Sequence, residues 1–164
     1  METYDIEGLY GRIMDENAAL RVITSHYIPL NVWLIRYLGL DAALFLSAVY
    51  EELLYLKEKG KAKLYDSQVR FSTRKAKLKT GLGETRQRKA LEVLESHHLL
   101  STYKEGWLPT YRNIVINFQQ FPDFETKLNE FISKETEKSK KTKEEFEQKM
   151  KDIHEEVVNK KIGK

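Results

Sequence analysis

The sequence predicts a mainly α-helical protein with a small β-hairpin and a charged helical tail. Three observations predict this: an apolar helix pattern that ends at Gly60, a strand, helix, turn, helix and hairpin order over residues 65–118, and a change to Glu, Lys, Thr and Ser after Pro122. We therefore divide the chain into an N-terminal lead-in (1–30), a folded domain (31–121) and a charged tail that is helical or partly disordered (122–164).

Composition favours a soluble intracellular protein. The chain has 164 residues, about the length of one domain, and 41% of them are hydrophobic. Cysteine is absent, which excludes disulfides and thiolate metal sites. The acidic N-terminus lacks the apolar region of a secretory signal, and the longest apolar stretch, residues 42–50, is too short to span a bilayer. We expect a cytoplasmic protein that does not contact a membrane.

The first predicted element is a long helix over residues 42–59. Pro29 favours an extended lead-in before it, Asp41 is suited to cap its N-terminus and Gly60 is suited to end it. Its apolar residues wrap more than one face of the helical wheel, which predicts a central core helix.

A strand, two helices and a hairpin are predicted next. The segment 65–71 has the composition of a short strand, Ser72 can cap a helix over TRKAKLK, and a turn at 80–83 leads to a second helix over residues 84–96. Two alternating segments, LLSTYKE and YRNIVINF, then flank the turn at 106–109. This order, after a core helix, is that of a winged helix-turn-helix.

The charge is concentrated in this helix-turn-helix. The net charge is only +3, but residues 70–90 contain eight basic side chains against the single Glu84, a local balance of +7. Such a concentration indicates an anionic partner, and nucleic acid is the first class to consider.

The second helix of the pair has the pattern of a DNA-recognition helix. At 100° per residue, Gln87, Ala90, Leu91 and Leu94 share one side, which we expect to face the core. The opposite side is polar and cationic in its first half, where a recognition helix reaches base edges in the major groove. The predicted base-contacting residues are Thr85, Arg86, Arg88 and Lys89.

Phosphate contacts are expected from the helix before the turn and from the hairpin. Lysine, arginine and hydroxyl side chains bind the DNA backbone and supply affinity without sequence choice. The predicted phosphate-contacting residues are Arg70, Ser72, Thr73, Arg74, Lys75, Lys77 and Lys79. In the hairpin, or wing, Lys104, Tyr111 and Arg112 are predicted to reach an adjacent phosphate or the minor groove, and Trp107 to contact DNA or a partner.

Residues 27–118 resemble the winged-helix domain of phage and plasmid replication proteins, including primosomal replisome organisers of Gram-positive phages. The resemblance is carried by the Thr80-Gly81-Leu82 turn, the run RQRKA at 86–90 and the Leu-Pro and aromatic-basic pairs of the wing. It implies a bacterial protein, encoded by the cell or by a phage or other mobile element, that binds origin or single-stranded DNA and contacts a replicative helicase or its loader, here through the tail. The family usually has glycine where this chain has His98, a position that turns through positive φ.

No catalytic, cofactor or metal site is expected. Gly81-x-Gly83 lacks the third glycine of a dinucleotide loop, Gly60-Lys61 lacks the upstream glycine of a phosphate loop, and carboxylates at i and i+1, such as Glu51 and Glu52, diverge on a helix. We therefore do not expect an enzyme.

Other functions and interfaces stay open at this point. A transcription regulator would use the same DNA-binding surface, and a protein-docking module would present the basic face to an acidic partner. A homodimer would double a short half-site, with the interface in the N-terminal segment or the tail. In the tail, Phe146, Met150, Ile153 and Val157 recur at coiled-coil spacing over two heptads.

Overall fold

Five helices and three strands follow one another in the part of the chain that the computed structural model describes, residues 28–64, 66–104 and 112–162. The predicted lead-in up to residue 27 lies outside these ranges. A short 3₁₀ turn, Phe118–Gln120, precedes the last helix. In chain order the elements are α1 (Val32–Leu38), α2 (Leu40–Glu58), β1 (Gln68–Arg70), α3 (Thr73–Thr80), α4 (Glu84–Ser96), β2 (Leu100–Lys104), β3 (Arg112–Ile116) and α5 (Phe121–Ile162).

The start of α2 differs from the prediction. Asn31 caps α1 by accepting a hydrogen bond from the Trp33 amide at 2.9 Å, and Gly39, with φ of 90°, is the only residue between α1 and α2. Asp41 was expected to cap α2, but Gly39 holds that position and Asp41 lies in the first turn. The reason is that a positive-φ glycine reverses the chain within one residue, so the helix begins earlier. At the other end Gly60 follows the helix with φ of 65°, as predicted.

The long helix α2 is the central core helix that the sequence predicts. Ala43, Phe45, Ala48, Val49 and Leu53 are fully buried. The helix packs against α1, α3, α4 and β1, so its apolar residues contact neighbours on several sides. This helix therefore lies at the centre of the hydrophobic core.

The strands form an antiparallel sheet in the order β1, β3, β2. Ile114 of the central strand is opposite Val69 on one side and Thr102 on the other. The predicted strands are confirmed, although each is shorter than the alternating sequence segment that indicated it. The sheet contributes the buried side chains of Leu100 and Ile116 to the core.

Two residues with a left-handed backbone conformation follow the ends of α3 and α4. Gly81 ends α3 with φ of 74°, which confirms the predicted turn. His98, just after α4, has φ of 58° and is the single non-glycine residue with positive φ in the described ranges. The backbone thus turns where the resemblance implied that glycine is usual.

The C-terminal helix α5 is continuous over 42 residues, about 63 Å at the α-helical rise. It begins at the predicted domain boundary, and Pro122 lies in its first turn, where a missing N–H costs little. Phe124 packs against Tyr37 and His97, with ring centroids 5.6 and 5.8 Å apart. Phe131 lies 5.1 Å from the same tyrosine, whereas residues 136–160 are exposed throughout. Among the described residues, no helix is long and apolar enough to cross a membrane.

Candidate nucleic-acid interface

The first half of α4 presents an exposed cationic face. Thr85, Arg86, Arg88 and Lys89 are all exposed, and the helix begins only one residue before them. Gln87, which the wheel placed on the inner side, is fully buried together with Ala90 and Leu94. The four predicted base-contacting side chains therefore lie on the solvent side of the helix.

Gln87 joins α4 to α3 and to the sheet. Its side-chain amide donates to the carbonyl oxygens of Thr73 at 3.0 Å and Leu82 at 2.8 Å. Its Oε1 accepts a hydrogen bond from Arg112 at 3.0 Å. One buried amide thus fixes the angle between the two helices of the pair and their position against β3.

Arg112, a predicted DNA-contacting residue of the wing, makes two hydrogen bonds within the folded domain. Its Nε donates to the Phe71 carbonyl oxygen at 2.9 Å, and its guanidinium carbon lies 5.3 Å from the centre of the Phe45 ring. Burial lowers the pKa of Arg112, and the nearby Glu84 carboxylate acts in the opposite direction. The Phe71 carbonyl oxygen and Gln87 Oε1 accept these hydrogen bonds, so they hold Arg112 at the edge of the cationic face, where it also lines a cleft.

Acidic residues of α2 hold part of the predicted phosphate-contacting set. The Glu52 side chain is 2% exposed and accepts hydrogen bonds from Lys75 and, at 3.1 Å, from Lys79. Glu51 Oε2 lies 3.6 Å from the same Lys79 ammonium. The two carboxylates, expected to diverge, reach one lysine because both have flexible stems. Burial raises the pKa of Glu52, but the two lysines more than offset this and hold it below its ordinary value.

A second ion pair engages Arg86 at the exposed edge of the face. Its Nε donates to Asp41 Oδ2 at 2.8 Å, and its Nη2 donates to the other carboxylate oxygen. The hydrogen bond from Arg86 holds the pKa of Asp41 below its usual value. Sequence reasoning missed both acidic partners, although Asp41 and Glu52 are eleven residues apart and so share one face of α2.

The other basic residues predicted to contact DNA lie on three elements, α3, α4 and β1. Arg74 and Lys77 on α3 are exposed, as are Arg88 and Lys89 on α4. Arg70 is exposed on β1. The Ser72 hydroxyl, predicted to contact phosphate, accepts a hydrogen bond from the Lys75 amide at 3.2 Å and so caps α3. A ligand can therefore reach Arg74, Lys77, Arg88 and Lys89 from solvent, whereas Lys75 and Lys79 already contact Glu52.

A cleft of about 330 Å³ lies between α3, α4 and the sheet. Its walls contain Thr73, Thr85, Arg88 and Arg112 from the predicted DNA-contacting set, together with Thr102 of β2. Glu84 also lines it, so the cleft combines one carboxylate with the guanidinium groups of Arg88 and Arg112. Hydroxyl and guanidinium donors therefore converge beside the N-terminus of α4.

The predicted wing is described only at its base. Trp107, Tyr111 and the Lys104 side chain lie outside the described residues. The strands β2 and β3 on either side of the tip are present and paired. In the described ranges, no group of three His, Asp or Glu side chains is arranged to hold a metal ion.

Comparisons of the chain with protein-family models, with curated proteins and with solved structures gave no significant match.

Proposed function

We propose that this protein binds DNA as a winged helix-turn-helix, with α4 as the recognition helix and the β2–β3 hairpin as the wing. The observation that carries the proposal is the exposed cationic first half of α4, next to the exposed Arg74 and Lys77 of α3. A protein surface with this charge attracts the phosphate backbone, and a helix projecting from it fits the major groove.

The residues of the face have distinct proposed roles. Arg88 donates to guanine O6 and N7, and Thr85 contacts a base edge or the thymine methyl group. Lys89 lies one residue further on and contacts a base or phosphate. Arg74 and Lys77 bind phosphates on either side of the groove and set the register of the helix.

Arg86 has a conditional role, because Asp41 already accepts two hydrogen bonds from it. A DNA phosphate or base must displace the Asp41 carboxylate from this guanidinium. The two hydrogen bonds of the ion pair favour the carboxylate before DNA is bound. We assign Arg86 to a contact that forms after the initial docking through Arg88 and Lys89.

The proposed cellular role is replication initiation or replisome organisation for a phage or mobile element, non-enzymatic, with a helicase or loader as partner of the tail. It rests on the resemblance of residues 27–118 to replication proteins. A transcription regulator is the alternative. Genome-wide occupancy separates them, because an initiator concentrates at an origin and a regulator at promoters.

The test of DNA binding is fluorescence anisotropy with random double-stranded and single-stranded oligonucleotides over a range of salt. The principal variant is Arg88→Ala/Lys89→Ala, and a second is Arg74→Ala/Lys77→Ala. The matched control is Lys134→Ala/Lys141→Ala, which removes the same charge from exposed positions of α5.

We expect binding whose affinity falls linearly with the logarithm of salt concentration, with a slope of roughly −0.9 per phosphate neutralised. Each principal variant reduces the slope by about 2 and weakens binding at least tenfold, whereas the control keeps both within about twofold. If wild type and control fail to bind at low salt, the DNA-binding proposal is wrong and a protein-docking module becomes the leading account.

A further inference from the structure

The distal half of α5 exposes an apolar stripe. Phe146, Met150, Ile153 and Val157 are 63%, 51%, 54% and 47% exposed, and they recur at spacings of four, three and four residues. None of the described residues outside α5 packs against this stripe. Large apolar side chains at the a and d positions of two successive heptads match one face of a coiled coil.

The charges on both sides of the stripe favour one partner and one orientation. On the helical wheel, Lys149 and Glu156 lie on one flank, and Glu147 and His154 lie on the other. If two copies pair antiparallel about a twofold axis between residues 151 and 152, Lys149 of each copy meets Glu156 of the other. The same axis sets each Glu147 against His154 of the other copy.

A parallel pair would lose this match, because it sets Lys149 against His154, which carries no negative charge. The apolar layers also fit the antiparallel arrangement, since the large Phe146 then faces the smaller Val157, and Met150 faces Ile153. Charges at the flanking positions are the feature that sets orientation and partner in coiled coils.

We propose that residues 143–160 of α5 pair with the same segment of a second copy in an antiparallel two-stranded coiled coil. The segment is about 27 Å long and contributes four apolar residues from each copy, with Lys143 facing Lys160 at either end, so the interface is small. The dimer is therefore concentration-dependent, with a dissociation constant on the order of 10 to 100 µM. The proposal does not depend on DNA binding.

The first experiment is sedimentation velocity of the full-length protein from about 5 to 500 µM. We expect a monomer–dimer equilibrium that Met150→Glu/Ile153→Glu abolishes. Both residues are exposed, so the variant keeps the calorimetric unfolding transition of the folded domain. A monomer at every concentration overturns the proposal, and so does a dimer that this variant leaves intact.

The second experiment tests orientation by charge exchange. Lys149→Glu and Glu156→Lys each weaken self-association at least tenfold, and an equimolar mixture of the two variants forms a heterodimer at least as stable as the wild-type dimer. Glu155→Lys, on the opposite side of the helix, makes the same charge change and leaves association unaltered. If the mixture associates no better than the separate variants, the antiparallel pairing is wrong.

The absence of cysteine from the sequence provides an independent readout. Phe146→Cys protein mixed with Val157→Cys protein forms a crosslinked heterodimer under mild oxidation, because the two positions face each other. Preferential crosslinking between two copies of the same variant, whether Phe146→Cys or Val157→Cys, contradicts the assignment. If the stripe instead binds another protein, the wild type stays monomeric in the first experiment.

Discussion

Replacing Glu52 with glutamine tests whether its buried charge holds α3 against α2. The carboxylate is 2% exposed and accepts hydrogen bonds from Lys75 and Lys79. A hydrogen bond to a charged group contributes about 1.5 to 3 kcal/mol net, and breaking a fully buried ion pair costs about 3 to 5 kcal/mol. Both lysines can turn to water and glutamine keeps one acceptor, so we expect a loss of about 1.5 to 3 kcal/mol, or roughly 10 °C in Tm.

The measurement is differential scanning calorimetry, because the exposed part of α5 contributes helical circular dichroism that is independent of the domain. Glu51→Gln is the matched control. Its carboxylate is much more exposed and lies 3.6 Å from Lys79, so its loss changes stability by less than about 0.5 kcal/mol.

The pH dependence separates charge from shape. Because the folded-state pKa of Glu52 is below its ordinary value of 4.5, its stabilisation is fully present above that value and is lost as the pH falls through the folded-state pKa. The difference between wild type and Glu52→Gln is therefore complete at pH 7 and shrinks below about pH 4.5. A difference of the same size at pH 7 and pH 3, or a larger effect for Glu51→Gln, refutes this reasoning.

Three further substitutions test other contacts. Gln87→Leu leaves two carbonyl oxygens and Arg112 without their partner, and we expect a loss of about 2 to 4 kcal/mol in urea unfolding, against less than about 0.5 kcal/mol for the exposed Glu92→Ala. His98→Gly relieves a left-handed residue, so thermal unfolding should show a gain of about 0.5 to 1 kcal/mol; a loss would mean that the imidazole makes a compensating contact. Burial lowers the pKa of His97, with Lys127 and His98 acting in the same direction. The folded state therefore binds a proton at His97 at a lower pH than the unfolded state does. Stability then falls as the pH drops below the ordinary value of 6.5, and His97→Gln removes that slope in unfolding curves from pH 8 to 5, whereas the exposed His154→Gln keeps it.

Local patterns in the sequence predicted the local elements well. The α4 boundaries, the Gly81 turn and the inward side of α4 follow from capping residues and helical periodicity, which act over a few residues. The start of α2 was wrong by two residues, since Asp41 is a good cap in general and only the adjacent α1 makes Gly39 the junction.

Long-range pairing explains what the sequence did not reveal about the interface. In the sequence, Lys75 and Lys79 have the pattern of ordinary phosphate-binding lysines. The fold brings Glu52 beside them, although Glu52 precedes Lys75 by 23 residues in the chain. The sequence around Arg112 similarly gives no sign of its internal hydrogen bonds. These bonds depend on Gln87 and on the Phe71 carbonyl oxygen, which are distant in the chain. A helical wheel shows which side of one helix is polar, but it does not contain the neighbouring helix.

In the proposed dimer, the length of α5 sets the distance between the two proposed DNA-binding units. From Phe121 to the proposed twofold axis the helix rises about 46 Å, so an antiparallel pair separates the two helix origins by roughly 90 Å. At 3.4 Å per base pair this corresponds to about 27 base pairs, or some two and a half turns of the duplex. A dimer built this way spans widely separated sites or bridges two duplexes, and it is too long to occupy adjacent half-sites one turn apart.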